Sequence, residues 1–170
     1  MKKLVFILTT FVALTFTQTA TAQKTIVDVA LGNEDFSTLV AALKAADLVG
    51  ALQGDGPFTV FAPTNSAFAK IDKEALANLL KPENKEALSN ILTYHVISGK
   101  LMASDVVAAL KKGKGKVEVK TLNGTVLTVV QKKGKIWLKD AAGNYSEITA
   151  TDVAGSNGVI HVIDTVVMPK

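Results

Sequence analysis

The run Phe58-Thr59-Val60-Phe61-Ala62-Pro63-Thr64-Asn65-Ser66-Ala67-Phe68 decides how this chain folds. As a strand it puts Phe58, Val60 and Ala62 on one face and Phe61 on the other, with no charge on either. A strand of that kind belongs inside a sheet. Pro63 ends it, because proline has no N–H to give to a ladder. Thr64 or Asn65 can then cap a helix that carries Phe68 and Ile71 inward. Near the end of the chain, Asn157-Gly158-Val159-Ile160-His161-Val162-Ile163-Asp164 is a comparable apolar run and is read as its partner in the core. Gly158 marks a backbone angle or a close approach that a side chain would block.

Working outward, the first half of the chain has helical spacing. Thr25-Ile26-Val27-Asp28 reads as a capping box. Phe36, Leu39, Val40 and Leu43 recur on one face and predict a helix over 35–46. Residues 47–52 form a further helical turn before Gly54-Asp55-Gly56-Pro57 breaks the chain. Asp72 opens a helix with Leu76, Leu79 and Leu80. Pro82 opens another, with Leu88, Ile91 and Leu92, that ends near Tyr94.

After Tyr94 the period falls to two. His95 to Ile97 is a short apolar segment, and Ser104 can cap a short helix over 105–110. Residues 117–121 and 125–130 alternate around Asn123-Gly124, a strong hairpin signal. Residues 136–139, 146–150 and 159–166 supply further strands. Helices first and strands mostly later predict an α+β domain.

Residues 1–22 are expected to lie outside the fold. Lys2 and Lys3 precede an apolar stretch from Leu4 to Phe16, and Ala20-Thr21-Ala22 fits a signal-cleavage site before Gln23. Leu4 to Phe16 spans about 20 Å as a helix, short of the roughly 30 Å bilayer core. The expected organisation is a signal peptide, 1–22, and one domain, 23–170, secreted or periplasmic in a bacterium and without an integral membrane span. There is no cysteine, hence neither a disulfide nor a lipid-modified cysteine.

Removing the signal lowers the formal charge from +4 to +2. Distribution matters more than the total: from Lys100 to Lys139 ten lysines stand against Asp105 and Glu118. Lys111, Lys112, Lys114, Lys116, Lys132, Lys133 and Lys135 are expected to form an electrostatic face. The bland reading of the same lysines is solvated strand edges protected from pairing. Arginine, the usual fork for phosphate, is absent, so nucleic acid is not an expected partner.

The ordered set resembles the fasciclin domain family: paired helices, Phe58 to Phe68, Tyr94-His95, a hairpin region, Gly158 to Asp164, and a final Met168-Pro169. The resemblance runs from Thr25 to Pro169. It implies a compact wedge or sandwich of about seven strands with several helices packed around it, and a non-catalytic role in adhesion or matrix attachment. In that family Tyr-His with apolar neighbours serves as an adhesion motif, which makes Tyr94 and His95 the candidate contact pair. The alternative for both is structural: His95 on the last helix carbonyls, Tyr94 with a buried ring. The family's integrin ligand has no counterpart in a bacterium.

Catalytic patterns are missing. His161 and Asp164, three apart on a strand, point to opposite faces. Gly113-Lys114-Gly115-Lys116 lacks phosphate-loop spacing, and neither cofactor nor metal is expected. The expected function is attachment to a cell-envelope or extracellular-matrix protein or polysaccharide. Two alternatives are a carrier of an apolar pigment or lipid and a polyanion-binding matrix protein that uses the lysine face.

Overall fold

A computed structural model describes residues 24–169; the signal-peptide expectation lies outside them. The helices are α1 (Ile26–Leu31), α2 (Ser37–Ala45), α3 (Val49–Leu52), α4 (Asn65–Phe68), α5 (Lys73–Leu79), α6 (Lys85–Tyr94) and α7 (Ala103–Lys112). The strands are β1 (Phe58–Pro63), β2 (Val96–Ser98), β3 (Lys116–Lys120), β4 (Val126–Lys132), β5 (Lys135–Lys139), β6 (Tyr145–Gly155) and β7 (Gly158–Ile163). They form one sheet in the order β2-β1-β7-β6-β5-β4-β3. The α+β class and the strand number agree with the sequence reading.

β1 lies between β2, antiparallel, and β7, parallel, with Phe58 opposite Gly158 and Pro63 opposite Ile163. The alternation along β1 explains this position. Val60 and Ala62 join Ile160, Leu39 and Leu43 in a core beneath the helices. Phe61 faces the other way, into a second core with Ile163, Leu127 and Leu138. Pro63 is the last paired residue of the strand rather than the first beyond it. Gly158 owes its place to close approach: a Cβ there would overlap the Phe58 carbonyl.

β6 joins two halves of the sheet. Its start pairs with β5 and its remainder with β7, with register shifts on either side of Ala150. Extra residues bend a strand and increase its twist. The sheet therefore curls until the Leu122 N–H in the β3–β4 turn donates to the Val96 carbonyl of β2 at 2.7 Å. Val106 and Leu110 of α7 belong to the core inside this curl.

The local signals appear, with differences at Asn65 and Ser104. Thr64 caps α4 by accepting from the Ala67 N–H at 3.3 Å. Asn65 instead ties α4 to α2, accepting from Thr38 N–H at 3.0 Å and donating to the Glu34 carbonyl at 2.8 Å. Ser104 does not cap α7: the helix begins at Ala103, two residues earlier than expected, and the Asp105 carboxylate accepts from Met102 N–H at 3.0 Å. A carboxylate on the first turn also suits the positive end of a helix. The Asn123-Gly124 hairpin forms with Gly124 at φ 87° and the Thr121 N–H donating to the Thr125 carbonyl at 2.9 Å.

Asn157 stitches three segments together. Its Oδ1 accepts from Ile26 N–H at 3.0 Å, and its Nδ2 donates to the Leu52 and Gly54 carbonyls, each at 2.8 Å. Asn157→Ala is expected to cost about 2 kcal/mol, since several partly buried groups lose their partner at once. Urea denaturation reads this. Asn157→Asp keeps the acceptor but not the donor and should fall between wild type and Ala.

Candidate functional site

Tyr94 and His95 close α6, and both are inside the molecule, 0% and 2% exposed. Neither can meet a partner directly in this conformation, so the expected contact role does not fit the geometry. The cause is local. The turn from α6 into β2 places the Tyr94 ring in the core of the curled half, with Ile97 and Leu127. The Tyr94 hydroxyl donates to the Val126 carbonyl at 3.3 Å and accepts from Ala141 N–H at 3.2 Å. Burial raises its pKa above the ordinary phenol value. His95 Nδ1 lies 2.8 Å from the Ile91 carbonyl, and its Nε2 lies 3.2 Å from Val167 N–H. A carbonyl only accepts and an amide N–H only donates, so the proton sits on Nδ1 and Nε2 accepts.

The other histidine follows the same rule with its nitrogens reversed. His161 Nε2–H donates to the Leu101 carbonyl at 2.8 Å, and Nδ1 accepts from Asp152 N–H at 3.3 Å. Asp164 is committed elsewhere. Its Oδ1 accepts from Glu147 N–H at 2.8 Å, and its Oδ2 meets the Lys70 ammonium at 3.1 Å. Partial burial pushes the Asp164 pKa up, but the Glu147 N–H and Lys70 outweigh it and hold the value below normal. His161 and Asp164 thus serve separate hydrogen-bond sets, as their strand spacing predicts. Among the described residues no group of three His, Cys, Asp or Glu side chains is placed to hold a metal.

The lysines named from the sequence are all exposed. Lys111 and Lys112 sit in the last turn of α7, where the helix dipole favours a cation. Lys114 and Lys116 frame the α7–β3 turn. The adjoining β4 end carries Lys132 and leads through Lys133 into Lys135, and the Gln131 N–H donates to the Gly115 carbonyl at 2.9 Å to join the two turns. The structure therefore gathers these lysines at one end of the sheet.

Pairing register adds residues that the sequence reading passed over. On the outward face of β3–β6, Trp137 stands between Val130 and Glu147. Lys132 and Lys135 form the row on one side of it, and Lys139 and Tyr145 the row on the other. The Lys132 ammonium lies 3.6 Å from the centre of the Tyr145 ring, and that of Lys139 lies 5.8 Å from it. Lys132, Lys133, Lys135, Trp137 and Glu147 line an open groove of about 490 Å³. The period-two run Lys135-Trp137-Lys139 was the available signal.

The apolar cavity bordered by Ile26, Leu39, Leu43, Val60 and Ile160 measures only about 20 Å³. A small-molecule pocket is an order of magnitude larger, roughly 300 Å³ or more. This cavity gives the carrier alternative no support. No helix among the described residues is long and apolar enough to cross a membrane.

The fold has counterparts among known proteins. The sequence model of the Fasciclin domain matches residues 34–169. Protein sll1483 of Synechocystis sp. is 52% identical over 145 residues, covering 85% of this chain and 73% of that protein. The cell surface glycolipoprotein MPB83 of Mycobacterium bovis is 35% identical over 153 residues, covering 87% of this chain and 62% of its own. Among solved structures, a domain pair from the insect cell adhesion molecule fasciclin I superposes with a TM-score of 0.73. It is 20% identical, and the match covers 84% of this chain and 50% of that one.

Proposed function

Because this chain belongs to the fasciclin domain family, we propose that it is a secreted, non-catalytic module that attaches to cell-envelope or extracellular partners. Residues 1–22 would direct export and be cleaved after Ala22, leaving 23–170 as the working domain. The observation that carries the reading is the use of the candidate reactive side chains for structure alone: Tyr94, His95 and His161 are buried and hydrogen-bonded to backbone groups. What remains for function is the exposed surface. A relative described as a cell surface glycolipoprotein agrees with an envelope location.

Binding of the purified protein to envelopes of the producing organism tests this. Saturable binding is expected. Its absence at every ionic strength would overturn the reading. Mass spectrometry of the exported protein is expected to find Gln23 at the N-terminus.

A further inference from the structure

The outward face of β3–β6 has a chemistry of its own. It is unlike the inward face, where Leu127, Val129 and Leu138 are buried. Six lysines project from it or from its hairpin: Lys116, Lys120, Lys132, Lys133, Lys135 and Lys139. Glu118 and Glu147 are the acids on it. They are taken by Lys116 at 2.8 Å and Lys135 at 2.6 Å. Lys120, Lys132, Lys133 and Lys139 have no carboxylate partner among the described residues. The face therefore keeps an uncompensated positive charge.

Two aromatic rings lie among these charges. Trp137 is half-buried at the middle of the face, and Tyr145 is 38% exposed. Lys132 reaches across the Trp137 row to the Tyr145 ring. A ring face is electron-rich, while the C–H edge of a sugar ring carries partial positive charge, so the two attract when stacked. The groove beside Trp137 opens between the lysines, which places ammonium groups on its walls.

The turns point the same way. Lys133 at φ 50° and Lys114 at φ 54° hold left-handed backbone conformations. Asparagine or glycine fits such positions at lower cost. Lysine there keeps charge at the sheet end despite the conformational penalty.

We propose that this face, centred on Trp137 and flanked by Lys132 and Lys139, binds an acidic polysaccharide. The proposal rests on the attachment reading and names its surface and partner class. Trp137 stacks on the apolar face of a sugar ring, and the lysines meet carboxylate or sulfate groups along the chain. Nucleic acid fits less well: without arginine the lysines meet any anion as point charges, and one half-buried indole offers successive bases little to stack on.

Trp137 is the single tryptophan of the chain, so its emission reports on this face alone. The test titrates the purified protein with polygalacturonate, dextran sulfate, neutral dextran and a single-stranded oligonucleotide. A saturable change in Trp137 emission with either acidic polymer is expected, and the tighter of the two identifies the anionic group. Neutral dextran should give none. Higher salt should weaken binding several-fold, as lysine contacts are screened. Lys132→Glu combined with Lys139→Glu should weaken it at least tenfold, with the circular dichroism spectrum unchanged because both side chains lie on the outward face. Lys44→Glu combined with Lys81→Glu, on the helical side, should stay within twofold. No response to either acidic polymer, an equal response to neutral dextran, tighter binding of the oligonucleotide, or an unaffected Lys132/Lys139 variant would each overturn the proposal. Wild-type protein that binds envelopes but neither polymer overturns this surface and leaves the attachment reading in place. Loss of envelope binding as well overturns both.

Discussion

Tyr94→Ala is expected to destabilise the protein by about 4 kcal/mol, the range found for removing a large buried aromatic side chain. The ring is fully buried in the core that holds Phe61, Leu127 and Ile163. Its hydroxyl also joins the backbone at Val126, the first residue of β4, and at Ala141 in the β5–β6 turn. Loss of the ring leaves a cavity, and loss of the hydroxyl leaves an amide and a carbonyl short of a partner. Whole domains are stable by only about 5–15 kcal/mol, so the loss is a large share of the total. In a thermal melt it corresponds to a fall of roughly 10 °C for a domain of this size. Tyr94→Phe separates the two contributions and should cost about 1–2 kcal/mol. The same pair of variants decides whether Tyr94 is a contact residue. Buried as it is, Tyr94→Phe should leave envelope binding unchanged. A folded Tyr94→Phe protein that no longer binds would sink the structural assignment and restore the contact role.

The contrast between Tyr94 and Trp137 shows what a sequence of this kind discloses. Phe58 to Phe68 could be placed because its information is local: alternation without charge, then proline, then a capping threonine. The same holds for Thr25 to Asp28 and for the Asn123-Gly124 hairpin. Family order supplied the rest of the architecture. Burial of Tyr94 and His95 was legible only as one of two readings, the structural one that the fold bears out, because an amphipathic residue at a helix end suits surface and core equally. Whether it is covered depends on β6, whose bulges curl the sheet over it, and bulges leave no reliable trace in spacing. The lysine face was legible as composition but not as a surface. Its centre emerges only from register, since Trp137, Glu147 and Tyr145 lie on neighbouring strands whose pairing the sequence does not state. Asn157 was visible within its run, yet its three partners lie more than 100 residues away.

Acid should weaken the fold through His95 well before carboxylates titrate. Full burial lowers the His95 pKa from 6.5 to about 4, and the hydrogen bond to the Ile91 carbonyl offsets this only in part. The sign follows from proton counting. Between pH 6.5 and 4 the unfolded chain holds a proton on this imidazole and the folded chain does not, so unfolding takes up a proton. Stability is thus complete above pH 6.5 and is lost as pH falls toward 4. The loss is about 2 kcal/mol by pH 5 and about 3 kcal/mol by pH 4, because each tenfold rise in proton concentration favours the protonated, unfolded chain by about 1.36 kcal/mol. The geometry explains the direction. Nε2 accepts the Val167 N–H at 3.2 Å, and a protonated Nε2 cannot accept. Charging the ring therefore sets two donors against each other and releases the segment after β7, with Val166 and Val167 that it holds in the cores. Urea denaturation at steps from pH 7.5 to 4 should show this decline. In His95→Gln the portion due to this residue should vanish, so the difference between the two curves isolates it from every other titrating group. Parallel curves for wild type and His95→Gln across that window would show that His95 does not couple protonation to folding.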